Sequence, residues 1–207
     1  MKRRPSMRAL PACGLFLLTA VGCSIKSETA PSRFYLLRAL PTESSGSARG
    51  EAAAGPALAL GPIHIPAYLD RPQIVTRTPG AEVKLSEFER WAEPLEDNVT
   101  AVLADNLSRL VPTERVSVYP TQPSEERELR IAVEVLRFDG SPGGEVVLEA
   151  RWRLLGPEDA PLKTERSRLT QPVGGTGYGE LVDAMSRALG ALSRELALGV
   201  QSAARGL

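Results

Sequence analysis

The chain has 207 residues, with 25 basic and 25 acidic side chains, one histidine, two cysteines and 43% hydrophobic residues. That length suits one domain able to bury its own core. The balanced charge leaves no electrostatic footprint for nucleic acid, and so few histidines and cysteines leave no closed zinc constellation.

Lys2, Arg3, Arg4 and Arg8 precede a short apolar run, Gly14 to Val21. This is the layout of a secretory signal, and it is too short for a membrane span, which needs ~20 apolar residues. The run ends in Ala20-Val21-Gly22-Cys23, which resembles the bacterial lipobox. The resemblance implies cleavage between Gly22 and Cys23, a diacylglycerol on the Cys23 sulfur and an acyl chain on its new amine. The alternative is an ordinary signal peptide with an incidental cysteine. Cys13 lies inside the signal, so the mature chain keeps one thiol, at its first residue, with no disulfide partner. The predicted organisation is therefore a signal peptide over 1–22, a lipidated tether over 23–32 and a domain over 33–207. In proteobacterial lipoproteins an aspartate after the lipidated cysteine retains the protein in the inner membrane. Ser24 resembles the outer-membrane class, which places the domain on that membrane, facing the periplasm. Four of the basic residues and no acidic one lie in 1–22, so the mature chain carries 21 against 25, a net charge of −4, which gives no footprint for nucleic acid or for anionic membrane surfaces.

Arg33 to Ala39 is an aromatic and aliphatic run fit for a strand, and Pro41 to Gly55 is a loop of low complexity. Strands are predicted at Ala57–Ile65, Gln73–Arg77 and Glu82–Leu85. The period then changes: Leu95, Val99, Val102, Leu103, Leu107 and Leu110 form one face of a helix. Pro94 suits its first position, Glu96 and Asp97 suit the positive end of its dipole, and Pro112 stops it. A short strand is predicted at Arg115–Tyr119. Leu129 to Val135 and Val146 to Leu154 alternate as an antiparallel hairpin around the turn material Asp139 to Gly144, with Leu162–Thr170 extending the sheet. A glycine-rich hinge, Gly174 to Gly179, leads into a second helix with Leu181, Met185, Leu189, Leu192 and Leu196 inward. The expected class is α/β (α+β), one compact domain with a mixed or antiparallel sheet and two long helices on one face.

No chemistry of an enzyme is legible. There is no G-x-S-x-G, and His64 would have to serve any triad, yet it sits in an alternating strand as a solvent-facing residue. No phosphate-binding G-x-x-x-x-G-K-[ST] occurs, and the Gly174–Gly179 run reads as the lead-in to a helix. Catalytic residues, metal ligands and cofactors are all predicted absent, apart from the covalent lipid on Cys23. Asn98-Val-Thr and Asn106-Leu-Ser match the glycosylation pattern on a predicted helix and read as chance.

The stretch that stands apart is "IHIPAYLDRPQIVTR", Ile63 to Arg77, with "RWAEPLEDNV" from Arg90. Two readings stay open. Either Asp70 and Arg71 hold a turn while Tyr68 and Trp91 cap the core, or Tyr68, Leu69, Asp70, Arg71 and Trp91 bind a partner. Arginine, tyrosine and tryptophan are the types enriched at binding hot spots.

Phe34-Tyr35-Leu36-Leu37 soon after a lipobox, "IPAYLDRPQIV", "RWAEPL", "LEARWRL" and the closing "YGELVDAMSRALGALS" together resemble the ABC-type transport auxiliary lipoprotein family, from about Phe34 to Gly199. The resemblance implies a fold similar to the N-terminal domain of TolB. It also implies a non-enzymatic partner of an MCE-type system, whose tunnel protein, permease and ATPase move lipids between membranes. The expected role is to dock that tunnel at the outer membrane, with the lipid anchor as membrane contact, a possible homo-oligomer and no nucleic acid. Rival expectations are a lipoprotein that carries an apolar ligand in its own core and an envelope protein that contacts peptidoglycan.

Overall fold

The computed structural model describes residues 30–41, 57–113, 115–120 and 129–205. Gly22, Cys23, most of the predicted tether and the Pro41–Gly55 loop beyond its first residue lie outside them. In chain order the elements are β1 (Arg33–Tyr35), β2 (Leu58–His64), β3 (Gln73–Arg77), β4 (Val83–Trp91) and α1 (Leu95–Leu110). There follow β5 (Val116–Val118), β6 (Leu129–Gly140), β7 (Glu145–Leu155), β8 (Pro161–Pro172) and α2 (Tyr178–Ala204).

The strands form one mixed sheet in the order β1-β4-β3-β6-β2-β5, and β7 and β8 extend it from β6. β6 is the hub. It pairs in parallel with β2 over Leu129–Glu134 and with β3 at Gly140, while its other edge pairs with β7 antiparallel over nearly its whole length. Alternation decides which side chains meet the core. Ile131, Val133, Leu148, Ala150, Trp152 and Leu154 point to the face covered by the helices and are buried. At Leu136 the register slips by one residue, since Val135 faces Ala150 but Arg137 faces Glu149. This bulge moves Phe138 into the core and turns Asp139 to the helix-free face.

Both helices pack on the inward face. α1 starts at Leu95, with Pro94 one position outside it, and buries Leu95, Val99, Val102, Leu103 and Leu107. α2 runs 27 residues, well past the predicted Leu196, and is held close to the sheet where Gly199 meets the Trp152 ring. Residues Pro31–Leu207 make one compact unit that closes around this single core.

The first strand differs from expectation. The ladder with β4 covers only Arg33–Tyr35, and residues 36–41 leave it as an extended strap laid against the two helices. Its amides are satisfied by side chains instead of a strand. The Leu37 amide donates to Asn98 Oδ1 at 2.7 Å, that of Arg38 to Ser186 Oγ at 3.0 Å, and that of Leu40 to Asn106 Oδ1 at 2.7 Å. Asn98 and Asn106 are both buried. Their apparent glycosylation pattern conceals this clamping role. Gly190 of α2 leaves room for the Leu40 side chain, which an added methyl would meet at 2.6 Å.

Candidate docking site

Between β2 and β3 the chain makes a tight turn over Pro66–Pro72. The Leu69 amide donates to Pro66 O and the Arg71 amide to Leu69 O, each at 2.8 Å. The turn is fastened at both ends. The Ile65 amide donates to Glu96 Oε2 in the first turn of α1 at 3.2 Å, and the Trp91 amide donates to Pro72 O at 2.8 Å.

The five residues singled out by sequence divide by direction. Leu69 and Trp91 are buried in the main core, and Tyr68 packs against it partly buried. Asp70 is exposed, and Arg71 is half-buried with its Nε enclosed and without a hydrogen bond. The turn thus presents Asp70 outward, with Arg71 half-buried beside it, over a base of Tyr68, Leu69 and Trp91.

Tyr68 is propped by a polar cluster around Asp139, a residue that sequence reasoning placed in a hairpin turn. Its hydroxyl donates to Asp139 Oδ2 at 2.8 Å. Arg77 Nε donates to Asp139 Oδ1 at 2.9 Å and its Nη2 to Oδ2 at 2.7 Å, while Arg137 Nε donates to Oδ1 at 2.9 Å. The Asp139 side chain is 0% exposed. Burial pushes its carboxyl upward, but the bonds from Arg77, Tyr68 and Arg137 outweigh burial and hold it below the usual carboxylate range. Burial and the bond to Asp139 push the Tyr68 hydroxyl up to about 12. Two guanidinium groups on one carboxylate leave the cluster with a net positive charge. The bulge at Leu136 created this geometry, and no alternation pattern in the sequence marks it.

A second feature missed by sequence reasoning lies beside the turn. Gln73 of β3, Arg90 of β4 and Phe34 of β1 are register neighbours across three strands. Phe34 is 64% exposed and Leu36 47%, within the aromatic and aliphatic run expected to form a strand. On the other face of β1, Tyr35 Oη donates to Glu89 Oε2 at 2.6 Å and Arg33 Nε to Glu89 Oε1 at 3.0 Å, which fixes the strand and leaves Phe34 outward. Asp70, Arg71, Arg90, Phe34 and Leu36 therefore combine charge and apolar surface at one end of the sheet, the mixture found at protein interfaces.

His64 ends β2 on the helix-free face and is exposed. It borders a shallow depression of about 360 Å³ with Glu134, Arg151 and Arg153, floored in part by Ala132. No group of three or more potential metal ligands occurs among the described residues, and no helix among them is long and apolar enough to cross a membrane.

A family model described as the ABC-type transport auxiliary lipoprotein component matches residues 35–197. The chain belongs to this family. The family is one of lipoproteins that assist transporters, anchored to a membrane, and it is not a family of enzymes. Two crystal structures share the fold. One, of an uncharacterized protein, superposes with a TM-score of 0.67 at 20% identity, over 83% of this chain and 99% of the other. The second, protein XCC0632 from Xanthomonas campestris, of the family DUF330, gives 0.64 at 16% identity, over 80% and 93%. At these identities the likeness is one of fold. No curated protein matches the sequence.

Proposed function

We propose that this chain is a lipid-anchored auxiliary subunit of an MCE-type, ABC-driven lipid transport system, and that it docks the transport complex at the outer membrane. The observation that carries this reading is the family match across residues 35–197. The lipobox-like Ala20–Cys23 supports the anchor, and Ser24 supports the outer membrane. The docking contact is the outward side of the Pro66–Pro72 turn. Asp70 and Arg71 supply charge, Phe34 and Leu36 supply the apolar contact, and Tyr68, Leu69 and Trp91 hold the turn in place from behind.

The test is cross-linking in native membranes, purification in mild detergent and identification of proteins and lipids by mass spectrometry. An MCE-type protein recovered with the chain, and lost on Arg71→Glu with folding retained, is the expected result. Undiminished recovery with Arg71→Glu would move the contact elsewhere on the molecule. Stoichiometric phospholipid without such a partner would replace docking with ligand carriage in the chain's own core.

A further inference from the structure

The register of β6, β7 and β8 sorts the charge of this acidic chain onto one surface. On the helix-free face stand Arg130, Arg137, Arg151, Arg153, Arg166 and Arg168. Glu134, Asp139, Glu145 and Glu149 stand on the same face, and Asp159 pairs with Arg130 beside it. Around the depression Arg151, Arg153, Arg166 and Arg168 stand against Glu134 and Glu149, a local net +2, whereas residues 23–207 as a whole carry −4. The pairing leaves the surplus outermost. Arg166 and Arg168 both bond Glu149, whose side chain is only 12% exposed while theirs are 63% and 62% exposed. Arg151 pairs with the half-exposed Glu134 at 3.0 Å, an exchangeable surface contact. Arg153 is exposed and has no ion-pair partner among the described residues. Where Ala132 faces Arg153 and β2 slips register after Leu60, the surface sinks into the depression bordered by His64, Arg151 and Arg153.

We infer that this face rests on a bilayer surface of anionic phospholipids, with the depression receiving a headgroup phosphate between Arg151 and Arg153. Three observations select this occupant. The patch is built from arginines, whose planar guanidinium groups fit phosphate oxygens in pairs. The lining of the depression includes no exposed large apolar side chain, since Leu162 of β8 and Tyr119, which stacks on Arg130, lie outside it, so it lacks the apolar centre of a protein interface. The chain belongs to a lipoprotein family, and an anchor on Cys23 would hold the domain within reach of headgroups. The inference rests on the lipid-anchored part of the reading above and is independent of the docking turn.

The test uses residues 23–207 carrying Cys23→Ser, which lack acyl chains but retain the whole compact unit. Flotation is measured with vesicles of phosphatidylcholine alone and with vesicles that also contain phosphatidylglycerol. Binding is expected only to the anionic vesicles, weakening as salt is raised. Arg151→Gln with Arg153→Gln should lower the partition coefficient roughly 30-fold, and Arg187→Gln with Arg194→Gln on α2, an equal change of charge, should leave it unaltered. If the first pair disturbs folding, Arg153→Gln alone, which breaks no ion pair, should lower it about fivefold. Absence of binding to anionic vesicles, or equal loss in the sheet and helix variants, overturns the proposal. Recovery of the MCE-type protein by the lipidated Arg151→Gln/Arg153→Gln chain separates this outcome from failure of the docking reading.

Discussion

The Asp139 carboxylate accepts four hydrogen bonds from three side chains, so every one of its neighbours is arranged around a negative charge. Asp139→Asn removes that charge and leaves Arg77 and Arg137 facing each other, at an expected cost of about 3 kcal/mol in denaturant unfolding. The pH dependence follows from the direction of the shift. A carboxyl held below its unfolded value contributes stability that is complete above about pH 4 and is lost as pH falls through the folded value. The gap between wild type and Asp139→Asn should therefore close in acid; a constant gap down to the lowest pH would contradict a charged Asp139. At the alkaline end the sign reverses, because Tyr68 is raised to about 12. Wild type should lose stability between about pH 10 and 12 as the unfolded tyrosine ionises first, and Tyr68→Phe should lose less over the same window. None of this was legible in the sequence. Asp139 stands beside Gly140-Ser-Pro-Gly-Gly and has the composition of a turn, and only the extra residue at Leu136 makes it a buried strand position.

Among the elements, the strap shows how side chains can replace a strand partner. Asn106 is fully buried, accepting from the Leu40 amide and donating through Nδ2 to Ser193 Oγ at 2.9 Å, so one residue ties strap, α1 and α2 together. Asn106→Ala leaves the half-buried Leu40 amide without its partner and should cost about 1–2 kcal/mol, with faster hydrogen exchange at Leu40; unchanged exchange there would show that the clamp is dispensable. The β6–β7 hairpin has a different sensitivity. A methyl on Gly140 would lie 2.4 Å from Glu145 O and 2.8 Å from Val146 Cα, both backbone atoms. Gly140→Ala should therefore destabilise by about 3 kcal/mol, measured by thermal unfolding, since no rotamer change relieves the contact. Elements with strict periodicity were readable: β3 lies at Gln73–Arg77 as expected, and α1 and the hairpin are within a few residues. β4 was read as Glu82–Leu85 but runs to Trp91, because its pairing skips from Leu85 to Arg90 and breaks the alternation that a sequence pattern needs. β1 was read too long for the converse reason, since Leu36 to Ala39 have strand composition but side-chain partners.

For the molecule as a whole, the class of fold followed from the order of elements, but the pairing did not. β1 with β4, β2 with β5, and β6 with both β2 and β3 are parallel contacts between segments far apart in sequence, and neighbouring residues do not encode them. The docking turn was partly legible. Its proline, tyrosine and Asp-Arg composition marked the place, while the inward direction of Leu69 and Trp91 depended on packing by α1 and β4. The basic face could not be found from net charge, because the average over an acidic chain hides a surface assembled by strand register. β8 is a 12-residue edge of the sheet, and Lys163, Arg166 and Arg168 with Pro161 and Pro172 at its ends keep it from recruiting another strand.

The strap also sets an order of events. The groups that hold it arrive late in synthesis: Asn98 lies 61 residues after Leu37, and Ser186 lies 148 residues after Arg38. Contacts so distant carry a large loop-closure cost and follow local hairpins in time. The strap must therefore wait for its full set of partners until α2 has crossed and packed. Pulse-labelled hydrogen exchange during refolding should protect the Arg38 amide together with α2 and after the β6–β7 hairpin; protection of Arg38 ahead of α2 would refute this sequence of steps. Until that last helix closes, the Arg38 amide lacks the hydroxyl that receives it, and the strap is held by α1 alone.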